Sequence, residues 1–187
     1  MLSHTDLKKG VQIILEGEPY EVLEANPIRA AQGKAIIQTR VKNLITGSVF
    51  GKNFHQGETF EEAGLEKLEV KFLYSHRDKF GFCEVQNQKN RFELVEEQIG
   101  PAGKFLKPSQ ILPGIKFRDK IINIAIPIKA QLKVTEAPPG TKGDRAQSGT
   151  KVAILETGAQ INVPLFVEQD DVIEINTEMG EYVRRVE

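Results

Sequence analysis

The sequence predicts an all-β protein of three small barrels. Three observations carry that expectation: short β-rich runs recur along the chain, turn residues separate them, and helical periodicity is nearly absent. Val11–Leu15 and Tyr20–Leu23 flank Glu16-Gly17-Glu18-Pro19, which reads as a hairpin turn. Lys34–Val41 is a further β-rich run, and Ser48–Phe50 follows the turn at Thr46-Gly47. Leu68–Tyr74 and Phe80–Val85 alternate with period two, as a half-buried strand does. Ile122–Ile126, Ala130–Thr135, Val152–Leu155, Gln160–Val163, Val172–Ile175 and Tyr182–Val186 complete the strands. One helix is expected, over Val95–Leu106, and Gly100-Pro101 keeps it short. Cuts fall after the Glu61–Gly64 break and after Pro127, giving modules 1–65, 66–128 and 129–187. Each is long enough for about five short strands around one core.

Composition narrows the function. The chain has 187 residues with 25 basic and 26 acidic side chains, ordinary for a globular protein. No apolar run is long enough to span a membrane, and no basic-then-apolar leader opens the sequence. Cys83 is the single cysteine, so no internal disulfide forms, and a reducing, cytoplasmic setting is expected. His4, His55 and His76 have no thiol or carboxylate at ligand spacing, and no phosphate loop or nucleophile motif occurs. Glu61-Glu62, Glu96-Glu97 and Asp170-Asp171 are adjacent, which suits solubility better than acid–base catalysis. The expectation is a non-enzyme without metal or cofactor.

Charge is segregated even though it nearly cancels. Asn26–Gly57 contains Arg29, Lys34, Arg40, Lys42 and Lys52 and no acid. Such a stretch suits a polyanion, and the alternative is a merely solvated face. At its centre Ala30-Ala31-Gln32-Gly33 joins two strands through small residues, a slim end able to enter a narrow cavity. A plain exposed hairpin is the alternative. A second loop, Pro138 to Lys151, is glycine-rich and carries Lys142, Arg145 and Lys151. Its amides and cations suit single-stranded RNA, and a long flexible loop is the alternative. Ten phenylalanines, three tyrosines and no tryptophan do not indicate a full aromatic stacking platform.

Several ordered segments together resemble the bacterial elongation factor P family. They are Gly17-Glu18-Pro19-Tyr20, Arg40–Gly47, Ala137–Asp144, Lys151-Val152-Ala153, Thr157-Gly158-Ala159, Val163–Val167 and Gly180–Val186. The resemblance implies an L-shaped, tRNA-like outline with an SH3-like (KOW-like) barrel followed by two OB-fold barrels. It implies a monomeric factor that binds the 70S ribosome between the peptidyl and exit sites. There it would contact peptidyl-tRNA, rRNA and exit-site mRNA, stimulate peptide-bond formation and relieve stalls at consecutive prolines. Residues near the peptidyl-transferase centre would be Arg29, Ala31, Gln32, Gly33 and Lys34, with Arg40, Lys42 and Lys52 on rRNA or tRNA. Lys142, Gly143, Asp144, Arg145, Gly149, Tyr182 and Arg185 would contact RNA from the last module. Two departures stand out. Asp170 occupies a position where the family usually has glycine, and the loop apex, usually lysine or arginine, is Gln32. A glutamine amide offers no amine to modify, so no tip modification is expected, Lys34 being the displaced alternative. A paralogue that binds ribosome or RNA without general polyproline rescue is the competing function.

Overall fold

The computed structural model describes residues 1–29, 35–139 and 149–186, with the Arg29 side chain excepted. The strands are β1 (Leu2–Ser3), β2 (Gln12–Leu15), β3 (Glu18–Arg29), β4 (Ala35–Asn43), β5 (Val49–His55) and β6 (Thr59–Phe60). They continue with β7 (Leu65–His76), β8 (Lys79–Glu84), β9 (Arg91–Val95), β10 (Ile111–Phe117) and β11 (Lys120–Ile124). The last five are β12 (Lys129–Glu136), β13 (Thr150–Leu155), β14 (Gln160–Pro164), β15 (Val172–Asn176) and β16 (Glu181–Arg185). The expected all-β class is what the chain adopts. Four sheets run in the orders β1-β6, β2-β3-β4-β5, β11-β10-β7-β8-β9 and β14-β13-β12-β15-β16. The expected helix is broken as Gly100-Pro101 requires. A single α-turn, Glu96–Ile99, is followed by a 3-10 helix, Pro101–Phe105.

Four strands absent from the sequence reading are the short β1 and β6, and β9 and β10. β10 contains Pro113-Gly114, a pair that reads as a turn, yet its ladder with β11 begins only at Gly114 opposite Ile124. Proline there removes no donor from that ladder.

Two compact units form, one from Met1–Leu68 with Pro113–Ile124, the other from Glu69–Leu112 with Ala125–Glu187. In the first, β2 and β3 meet through Glu16-Gly17, both at positive φ (53° and 85°), between the paired Leu15 and Glu18. That two-residue loop matches the right-handed twist of the strands, and glycine takes its second position without strain. Ile13, Val22, Val41, Phe54 and Phe60 close the core, with Phe54 and Phe60 edge to face at 4.7 Å. Leu44, Phe117 and Ile122 make a second cluster, with Ile14 and Leu65 against it.

Asn43 ends β4 and is 3% exposed. Its Oδ1 accepts the Ile45 and Thr46 amides at 2.8 and 2.9 Å, and its Nδ2 donates to Glu18 Oε2 at 2.6 Å. One side chain thus forms the turn and ties it to the start of β3.

In the second unit, Phe72, Phe82 and Phe92 pack in series at 5.4 and 5.5 Å between centroids. The 3-10 helix delivers Phe105, 2% exposed, into a cluster with Leu132, Val134, Leu155, Ile173 and Ile175. Beside it the Lys107 ammonium lies 2.8 Å from Glu156, whose carboxylate also accepts the Lys133 amide at 2.9 Å. The departure at Asp170 has a conformational meaning, since its φ is 74°, where glycine is unstrained. Aspartate tolerates that region better than most side chains, and its carboxylate reaches Lys133 Nζ at 2.7 Å.

Glu174 is the buried carboxylate among the described residues of this unit, held by Arg184 Nη2 at 3.1 Å and Lys129 Nζ at 3.4 Å. The Arg184 hydrogen bond is the chief cause of a pKa below the ordinary 4.5. A carboxyl depressed on folding stabilises fully above its unfolded pKa, and that stability is lost as pH falls through the folded value. We expect the urea midpoint of Glu174→Gln to lie below wild type at pH 7. The gap should narrow through the acid range below pH 4.5 and close once Glu174 is protonated. A gap independent of pH would show that packing, not charge, is what the substitution removes.

Candidate nucleic-acid interface

β3 and β4 form the longest hairpin of the first unit. Their register runs from Tyr20 opposite Asn43 to Arg29 opposite Ala35. β5 pairs with β4 from Val49 opposite Lys42 to His55 opposite Ile36. Only the last pair, Arg29 with Ala35, extends past this three-stranded brace. The described end of the hairpin, Arg29 with Ala35, therefore belongs to a supported sheet rather than a free ribbon. Ala31, Gln32, Gly33 and Lys34, the predicted tip, lie outside the described residues, as does the Arg29 side chain.

The hairpin sorts the predicted cations by face. Buried Ile37, Thr39 and Val41 alternate along β4 with Gln38, Arg40 and Lys42 on the outer side. Arg40 and Lys42 thus share one face. Lys52 stands opposite Thr39 and so faces the other way; its carbonyl accepts the Thr39 hydroxyl at 2.7 Å, and its ammonium lies 5.9 Å from the Phe54 ring centre.

The outer face is also less cationic than its sequence suggests. The acid-free stretch starts at Asn26, but β3 brings Glu24 opposite Arg40 and Glu21 opposite Lys42. Arg40 Nη1 lies 3.1 Å from Glu24 Oε1, both side chains more than half exposed. Such a pair contributes only about 0–1 kcal/mol, so Arg40 can exchange its carboxylate for a phosphate at little cost. Lys52 meets Glu16 only at 4.0 Å.

In the second unit, Tyr182 and Arg185 meet on a residue that the sequence reading did not select. Phe166 is exposed; the Tyr182 ring stands edge-on to it at 6.4 Å, and the Arg185 guanidinium lies 5.7 Å from its centre. Arg185 also reaches Asp171 at 3.5 Å. Gly149 adjoins this cluster, its carbonyl accepting the Leu165 amide at 3.3 Å. Phe166 follows the end of β14, where strand alternation stops, so periodicity gave it no role. Lys151 donates to the Pro138 carbonyl at 2.9 Å, at the base of the glycine-rich loop. Lys142, Gly143, Asp144 and Arg145 lie outside the described residues. An exposed phenylalanine flanked by a half-buried tyrosine and a guanidinium is a surface on which an unpaired base can stack.

Among the described residues no cluster of histidine, cysteine and carboxylates could hold a metal, and no helix is long and apolar enough to cross a membrane.

Comparison with known proteins gives the class and then the family. Residues 3–60 match the family described as Elongation factor P (EF-P) KOW-like domain, and residues 130–185 match Elongation factor P, C-terminal. Elongation factor P of Carboxydothermus hydrogenoformans is 39% identical, with both chains covered completely. That of Moorella thermoacetica is 38% identical over 99% of this chain and 100% of its own. That of Wolinella succinogenes is 35% identical over 98% of each. In fold, the chain resembles eukaryotic translation initiation factor 5A from Methanococcus jannaschii. The TM-score is 0.50 at 16% identity, over 66% of this chain and 92% of that one. This all-β, barrel-built chain is a translation factor. It belongs to the elongation factor P family.

Proposed function

We propose that this protein binds the 70S ribosome between the peptidyl and exit sites, contacts peptidyl-tRNA and stimulates peptide-bond formation, relieving stalls at consecutive prolines. The observation that carries this reading is the braced β3–β4 hairpin, in a chain related to elongation factor P along its whole length. The protein acts as a cytoplasmic monomer of three modules, 1–65, 66–128 and 129–187, and contributes position rather than chemistry. Proline fixes its own φ, so proline-rich nascent chains hold the reacting groups badly. Steadying the peptidyl-tRNA recovers part of that loss, and about 1.4 kcal/mol of better positioning is tenfold in rate.

Gln32 is the working apex and hydrogen-bonds near the acceptor end, with Arg29 and Lys34 beside phosphate and Ala31 and Gly33 keeping the tip slim. Arg40, Lys42 and Lys52 meet rRNA or tRNA, Arg40 by exchanging Glu24 for phosphate. Lys142, Gly143, Asp144, Arg145 and Gly149, with Tyr182 and Arg185 on Phe166, meet RNA at the exit-site codon. The neutral apex favours one second reading, a paralogue that binds the ribosome without general polyproline rescue.

A polyproline reporter translated with purified components separates the two. Unmodified recombinant protein should raise full-length product, and the tip peptide from the native host should carry no added mass. Gln32→Ala should slow proline incorporation by about 0.5–1.5 kcal/mol, one hydrogen bond, or roughly two- to twelve-fold. Ribosome binding with no effect on the reporter would leave only the paralogue, and a stoichiometric adduct on Lys34 would remove Gln32 as the apex.

A further inference from the structure

The outer face of the hairpin holds an arrangement that the tip-and-cation reading does not use. Asn26 stands directly opposite Gln38, and Gln38 directly opposite Asn53, so three carboxamides form one row across β3, β4 and β5. All three are exposed, and none of their side-chain amides is bonded to another described residue. At strand spacing the row is about 10 Å wide. The next row is Glu24, Arg40 and Gly51. Because Gly51 has no side chain, the two rows open into one groove of about 450 Å³, lined by Glu24, Asn26, Gln38, Arg40, Gly51 and Asn53.

The charge and donor pattern of this groove select its occupant. Glu24 and Arg40 leave the groove without net charge, so a phosphate engages Arg40 there only by displacing Glu24 and finds no further cation along the row. Each carboxamide offers two N–H donors and a carbonyl acceptor, which suits a group that is donor and acceptor at once. The ribose 2′-hydroxyl is such a group. It is displayed with base edges in the wide, shallow minor groove of A-form RNA, which a flat sheet face can approach.

We propose that the Asn26–Gln38–Asn53 row docks on the minor groove of an A-form RNA helix and reads its 2′-hydroxyls. Arg40, which also lines the groove, meets a flanking phosphate by giving up Glu24. The proposal rests on the reading of this protein as a tRNA-contacting factor and names the part of the RNA that this face recognises.

Isotope-labelled full-length protein, titrated with a short RNA hairpin, its DNA counterpart and a 2′-O-methylated RNA hairpin, tests it through the side-chain NH₂ resonances. The RNA hairpin should shift the Asn26, Gln38 and Asn53 signals, with little dependence on salt, and the other two hairpins should not. Gly51→Leu should weaken RNA binding about tenfold or more. A Cβ there meets only the Thr39 carbonyl, at 3.8 Å, so the unfolding midpoint should hold. If that variant does not fold, Gln38→Ala combined with Asn53→Ala should give the same loss. Equal shifts with DNA and RNA, shifts that spare the three amides, no RNA binding at all, or full affinity in a folded groove variant would each overturn it. Stall relief by a wild type whose amides ignore RNA would overturn this inference alone and leave the ribosomal function standing.

Discussion

Phe105→Ala should be the most damaging single substitution outside the hairpin, lowering the stability of the second unit by about 3–5 kcal/mol. Phe105 leaves a 3-10 helix that has little stability of its own and fills a cluster whose other members come from β12, β13, β14 and β15 and from the connections holding Ala159 and Val167. Removing the ring forfeits its burial and leaves a void that the surrounding strands are too interlocked to close. Urea unfolding followed by far-ultraviolet circular dichroism reads the loss as a lower midpoint. Phe105→Leu should recover much of it by restoring volume. If the alanine variant loses less than about 1 kcal/mol, an ordinary surface value, the ring is not the link between this helix and that core.

Asn43→Ala should cost the first unit about 2.5–6 kcal/mol, summed from two neutral hydrogen bonds and one to a carboxylate. The substitution strands the Ile45 and Thr46 amides and frees Glu18 at the point where β3 begins. Asn43→Asp distinguishes the two halves of its role. It keeps the acceptor for both amides but sets a second carboxylate against Glu18, so its deficit should shrink when the pair is protonated at low pH. Denaturant unfolding at pH 7 and pH 4 measures both. An aspartate variant as stable as wild type at pH 7 would mean that the Glu18 contact contributes nothing.

The strand pattern was legible because β2, β4, β7 and β8 alternate or run apolar between turn residues, and a sheet with one dry face demands that pattern. β10 was not, because Pro113-Gly114 reads as a turn to any local rule. Its position before the start of the β11 ladder means that proline removes no donor from that ladder. The tip and glycine-rich loops were visible as acid-free or glycine-rich stretches. What a linear reading of charge missed was the partner across the sheet. Glu21 and Glu24 lie before the acid-free window, yet register sets them against Lys42 and Arg40. The carboxamide row escaped for the same reason, and Phe166 because it lies just past β14, outside any alternating run. Residues far apart in sequence become a surface only once strands are in register.

The irregularity in β3 between Val22 and Glu24 has a geometric outcome. Val22 pairs with Val41 and Glu24 with Arg40, leaving Leu23 as an extra residue. A one-residue offset there decides which side chains the rest of the hairpin turns outward: Glu24, Asn26 and Ile28 rather than Ala25 and Pro27. The arm beyond it therefore behaves as a ruler with discrete graduations. Trimming one residue from each strand would turn the row over to the dry side, while trimming two from each would keep its sidedness and shorten reach by about 6–7 Å. Between successive lengths that preserve the outward face there is no intermediate setting, so the span from barrel to tip can be retuned only in steps of that size.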